Sequence, residues 1–142
     1  MSFLLDTNAI SEWQKPRPNP GVIAWMAATD EDSQFLSVIT LAELRYGIER
    51  MAAGGRRRRY EQWLELELPR RFEGRILSAN PTIADMWGRL VARAAGSGRP
   101  INAMDAFLAA TAEVHQLTLV TRNVSHFFLL KTIVNPWTET PS

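Results

Sequence analysis

Short apolar runs and longer stretches of helical periodicity alternate along the chain. Phe3–Leu5, Phe35–Ile39, Ile76–Leu77, Leu117–Val120 and Ile133–Val134 read as buried strands. Thr40 is expected to open a helix with Leu41, Leu44, Ile48 and Met51 on one stripe, and Gly54-Gly55 to stop it. The stretch RRRRYEQWLELELP reads as a further amphipathic helix turning Tyr60, Trp63, Leu64 and Leu68 inward and ending at Pro69. Asn80-Pro81 is a cap followed by proline at the first helical position; Ile83, Met86, Trp87, Leu90, Val91 and Ala94 then recur at helical spacing until Gly96 and Gly98. Asn102 opens another helix, with Met104, Phe107, Leu108, Thr111 and Val114 on one side and small alanines beside them. The alternation predicts an α/β fold, a mostly parallel sheet covered by helices, in a single domain over residues 1–142.

That topology brings distant acids together. In right-handed βαβ units each helix runs antiparallel to its strands, so its first turn lies at the edge where the strands' carboxyl ends emerge. Asp6 follows the first strand, Glu43 is expected in the first turn after the second, Asp105 in the first turn of the helix opening at Asn102, and Thr121-Arg122-Asn123 leaves the Leu117–Val120 strand. Each acid also has a plain structural reading. Glu43 fits a capping box with Thr40, Asp105 sits where a helix dipole favours an acid, and Asp6 can cap a helix starting near Asn8. Together, however, three unrelated elements put acids at one edge. Such carboxylates repel one another unless a divalent cation joins them. With oxygen ligands and no cysteine in the chain, Mg²⁺ or Mn²⁺ is the expected ion. An ion of that kind orients a phosphodiester and activates water against phosphorus, so the pattern suggests phosphodiester hydrolysis.

Composition sharpens this only locally. The formal charge is +1, from 16 basic and 15 acidic side chains, so no global field draws nucleic acid or a membrane. Arginine, which grips phosphate bidentately, supplies 14 of the 16 basic residues, and Arg56, Arg57, Arg58 and Arg59 are consecutive. That run is either a solvated helix face or a phosphate-contacting patch. No apolar stretch approaches a membrane span, and no basic leader precedes a long apolar stretch, so the expectation is a soluble, cytoplasmic protein.

The segments LLDTNAISE, LSVITLAELRYGI, INAMDAFLAATAEVHQLTLVTRN and VNPW resemble the PIN-domain ribonucleases of bacterial toxin–antitoxin modules, the VapC and FitB group, from Phe3 to Trp137. The resemblance implies a three-layer α/β/α sandwich and RNA cleavage at a Mg²⁺ or Mn²⁺ site. Asp6, Glu43 and Asp105 match its three acids, and Thr7 and Thr121 its small bracing hydroxyls. Many relatives carry a fourth acid where this chain has Asn123, or three residues on, where it has His126; that histidine is open to binding a transition metal or phosphate, but before Phe127-Phe128 it reads as a surface or packing residue. Asn123 can still offer its carbonyl to the ion, but without charge, which implies one well-held ion and a second only with RNA present. Arg45 and Arg122 are expected nearer the site, either to neutralise one of its acids or to hold RNA phosphate. A cognate antitoxin, a homodimer, and operator DNA reached only through the antitoxin are the implied partners, with a groove for the antitoxin near Trp13, Trp25, Tyr46 and Trp63.

Two other readings stand beside the ribonuclease. A PIN fold that turns over weakly or not at all would act only as a partner for antitoxin and operator DNA. A phosphoaspartate hydrolase would want a second aspartate two residues after Asp6, where this chain has Asn8.

Overall fold

The computed structural model describes residues 1–138; the last four of the expected 1–142 domain lie outside the described residues. Five strands, β1 (Phe3–Leu5), β2 (Gln34–Ser37), β3 (Ile76–Leu77), β4 (Thr118–Val120) and β5 (Ile133–Val134), form one sheet in the order β3-β2-β1-β4-β5, and every pairing is parallel. The chain runs outward from β1 in both directions. β1 is therefore the switch point, and the crevice that α/β sheets use for ligands opens at its carboxyl end.

Seven α-helices accompany the strands among the described residues: α1 (Thr7–Ser11), α2 (Pro20–Ala28), α3 (Val38–Glu49), α4 (Gly55–Gln62), α5 (Leu68–Arg71), α6 (Pro81–Gly96) and α7 (Ala103–His115). They cover both sheet faces, because successive strand residues point to opposite sides. Leu5, Leu36 and Val120 pack with Ile10, Met26, Leu44, Ile48 and Trp63 from α1 to the turn after α4. Leu4 and Leu119 pack with Ile83 and Leu90 of α6 and Leu108 and Ala112 of α7. The result is the expected α/β/α sandwich. No described helix is long and apolar enough to cross a membrane.

Two helix boundaries differ from the expectation. The Phe35–Ile39 strand stops at Ser37, whose hydroxyl accepts from the Ile39 amide at 3.0 Å and caps α3. Thr40 is thus inside the helix, fully buried, with its hydroxyl unpartnered among the described residues. The capping box is absent, and Glu43 lies in the second turn rather than the first. The second difference is at Pro69. The arginine-rich helix does not stop there, because a π-helical turn over Trp63–Glu67 carries α4 into α5, with the Leu68 amide reaching back to the Trp63 carbonyl. That widened turn relieves the clash a proline ring makes with the preceding turn.

Ser37→Ala removes the cap from the partly buried Ile39 amide and is expected to cost about 0.5–2 kcal/mol in urea denaturation. Thr40→Val removes an unpartnered buried hydroxyl and is expected to leave stability unchanged or higher. If Thr40 were the cap, the two results would exchange.

Candidate functional site

Asp6 leaves β1 with its own amide still in the ladder, donating to the Val120 carbonyl at 2.9 Å. β1 and β4 are adjacent with Leu5 opposite Val120, so the next residues, Asp6 and Thr121, stand side by side. Both are buried. The Thr121 hydroxyl donates to Asp6 Oδ2 at 2.7 Å, the Thr7 amide to Oδ1 at 2.7 Å, and Asn8 Nδ2 to Oδ2 at 3.2 Å. Asp6 is also the N-cap of α1, as its structural reading expects.

Glu43 is drawn in by Thr7, whose hydroxyl donates to Oε1 at 2.8 Å. It reaches α1 across the sheet edge instead of folding back on its own helix. Asp105 stands in the first turn of α7, behind the Asn102 cap, whose side chain accepts from the Met104 and Asp105 amides. His126 Nδ1 lies 3.4 Å from Asp105 Oδ2. Among the described residues no arginine or lysine is within ion-pairing distance of Asp6, Glu43 or Asp105.

The electrostatics follow from this arrangement. Burial pushes the Asp6 carboxyl above its ordinary range; hydrogen bonds from Thr121, Thr7 and Asn8 pull it back, and the Asp105 charge adds to the push. Glu43 is also raised, first by burial, then by Asp6 and Asp105, against the Thr7 hydrogen bond. Asp105 is raised by burial and partly relieved by His126. The three carboxyls therefore feel one another. Among the described residues no three acidic or imidazole side chains close tightly enough to chelate an ion directly. The all-oxygen set, short of cations, fits a hard divalent ion that keeps several waters, as Mg²⁺ does.

The remaining predicted residues lie around this centre. The Asn123 amide donates to the Thr121 hydroxyl at 3.0 Å, and its exposed side chain makes no hydrogen bond among the described residues. Arg45 is held by Glu65 at 2.7 Å. The Arg122 guanidinium sits 6.0 Å from the Trp137 ring, in a cavity of about 490 Å³ with Lys15, Arg17 and Glu12. Of the arginine run, Arg57 bridges Glu49 and Glu61, and Arg56 lies over Tyr60. Among the aromatic residues near the expected groove, Trp63 is buried and Trp25 packs edge-on against Phe3, while Tyr46 and Trp13 are exposed. Two neighbours of the acids were not assigned from the sequence. Asn8 ties Asp6 to Thr121 and accepts the Arg122 amide at 3.2 Å; its signal was a third polar residue after an apolar strand. His126 partners Asp105, where its place before Phe127-Phe128 suggested packing.

Comparison with known proteins agrees with this fold. A family model described as PIN domain matches residues 3–127. The chain is 38% identical over 136 residues to Toxin FitB of Neisseria gonorrhoeae, covering 95% of this chain and 98% of that protein. It is 39% identical to VapC ribonuclease Y4jK of Sinorhizobium fredii, covering 95% and 97%. The solved structure of FitAB bound to an IR36 DNA fragment matches with a TM-score of 0.90 at 34% identity, over 97% of both chains.

Each of the three carboxyls titrates higher in the fold than its ordinary value, so the folded state holds more protons in that interval and stability falls as pH rises through it. The penalty is complete above the folded pKa values and absent below the unfolded ones. In chelator-treated buffer, Glu43→Gln is therefore expected to melt above wild type at about pH 8, with the gap closing toward about pH 4. A wild type that melts higher throughout would mean that Glu43 bears no such strain.

Proposed function

The chain belongs to the PIN-domain family, and from that premise we propose that it is a Mg²⁺- or Mn²⁺-dependent endoribonuclease, the toxin of a type II toxin–antitoxin pair. The observation that carries the reading is the convergence of Asp6, Glu43 and Asp105 at the sheet's switch point, each raised by burial and without a basic partner of fixed charge. Asp6, Glu43 and Asp105 would hold the ion partly through its waters, with the Asn123 carbonyl within the same segment of chain as Thr121. A bound divalent ion supplies charge to the phosphate oxygens and lowers the pKa of water for attack on phosphorus.

The protein's own residues do the positioning. Thr121, the Thr7 amide and Asn8 fix both oxygens of Asp6 and favour its ionised form. Thr7 orients Glu43 with its hydroxyl, so one residue serves two acids. Hydrolysis forms a bond from the water oxygen to phosphorus and breaks one ester bond, leaving a phosphate on one fragment and a hydroxyl on the other. Arg122 and Arg17 offer cationic contacts for the RNA backbone beyond the centre, and Lys15 would do so only by leaving Glu12. Arg45 would do so only by leaving Glu65.

For partners, the reading supplies a cognate antitoxin, operator DNA bound through it, and a homodimer. The likeness to FitB, whose FitAB assembly is solved on a DNA fragment, supports the first two.

The test is Mn²⁺ calorimetry and cleavage of single-stranded RNA on the same samples of wild type, Asp6→Asn, Glu43→Gln and Thr121→Val, with circular dichroism confirming the fold. Thr121→Val is expected to lose about 10–100-fold in activity, as a supporting residue does, and the two acid variants more. Cleavage by Asp6→Asn and Glu43→Gln at the wild-type rate would end the assignment. Ion binding by a wild type that never cuts would instead favour a PIN-fold module acting through its partners alone.

A further inference from the structure

Asp105 has a second face. Besides facing the other acids, it forms one wall of a cavity of about 460 Å³ lined also by Arg99, Asn102, Ser125, His126 and Phe128. That volume lies in the range of sites that take one small ligand. The cavity is built by two segments meeting: the turn after α6 and the short helical turn Val124–Phe127.

Arg99 is placed there by backbone geometry. α6 ends in a Schellman motif, in which the Gly98 amide bonds to the Ala95 carbonyl and the Arg99 amide to the Ala94 carbonyl. Gly98 has φ +76°, which a side chain would disfavour, so the glycine permits the turn that presents Arg99. The guanidinium then lies 3.9 Å from the Phe128 ring centroid and donates to the Ser125 carbonyl at 3.3 Å. Neither partner is an acid, so its positive charge is not neutralised by an ion pair among the described residues. The Phe128 ring lies beneath the guanidinium carbon, and Arg99 is exposed. A flat, charged, pre-oriented platform beside an acid of the cleavage centre is what an unstacked RNA base and its phosphate recognise.

We infer that this cavity receives one unpaired RNA nucleotide next to the scissile bond, its base laid on the Arg99 guanidinium. The inference rests on the ribonuclease reading. It makes Arg99 and Phe128 determinants of where the chain is cut.

The test measures binding and cleavage separately. A fluorescent single-stranded RNA is titrated by anisotropy in EDTA, where the ion is removed, against wild type, Arg99→Ala, Arg99→Lys and Phe128→Leu. Arg89→Ala, an exposed α6 arginine paired with Asp85, controls for simple loss of charge. The same proteins then cut a mixed-sequence RNA in Mn²⁺. Arg99→Ala is expected to weaken binding and raise KM by roughly 5- to 100-fold, the range of losing one stacked base. Arg99→Lys keeps the charge without the plane, and is expected to restore part of the affinity while the cut-site preference stays altered. Equal RNA affinity for wild type, Arg99→Ala and Phe128→Leu would overturn the inference, as would no RNA binding by wild type. Absence of wild-type cleavage would overturn the ribonuclease reading instead, and the anisotropy series in EDTA would still decide the nucleotide pocket.

Discussion

The Thr121 hydroxyl on the Asp6 carboxylate is the contact from which the rest of the site follows. A carboxylate taken out of water needs hydrogen bonds to remain charged. Asp6 finds them in its own neighbours Thr7 and Asn8 and in one residue more than a hundred positions away. That last partner exists only if β1 and β4 lie side by side in parallel, with Leu5 opposite Val120. A slip of one residue would turn Thr121 away and send the apolar side chains of the strand to the wrong face. The buried leucines on both sheet faces therefore hold the register, and the register holds the acid in place.

The same arrangement keeps the charges near Asp6 unbalanced. With 14 arginines in the chain, neutralising three acids would be easy, yet among the described residues none of them is within ion-pairing distance of Asp6, Glu43 or Asp105, and several are engaged elsewhere. Arg45 and Arg57 bridge glutamates on the outside of α3 and α4, Arg71 reaches Glu31, and Arg75 ties together backbone carbonyls. His126, beside Asp105, is the exception, and its charge depends on protonation. Burial and mutual repulsion at these acids are therefore left without a balancing charge of fixed sign. The arginine that does approach the acids' side of α7, Arg99, rests on an aromatic ring and a carbonyl and so keeps its charge available.

How much of this could be read from residues alone differs between the parts of the site. Asp6 and Asp105 were legible because each sits at a local landmark: the end of an apolar run, and the first turn behind an asparagine cap. Glu43 was assigned to the same edge for a partly mistaken reason. Thr40 and Glu43 have capping-box spacing, but Ser37 competes for the cap and wins because the strand ends there. The glutamate still arrives, from the second turn, because Thr7 draws it across. The roles of Asn8 and His126 were not legible. Each depends on what lies opposite in space, and neither has a periodic or capping signature of its own.

The sequence by itself determined the elements and their order: the apolar runs, the stripes, the asparagine caps and the glycine stops are local and act through the nearest turn of chain. It also determined that acids would gather at one sheet edge, since parallel β–α units allow one handedness. The tertiary structure alone decided which oxygen meets which hydroxyl, which arginines are held by glutamates, and that Arg99 lies over Phe128 beside Asp105. Those outcomes depend on distances between segments far apart in the chain, set by packing on both faces of the sheet, and no local pattern encodes them.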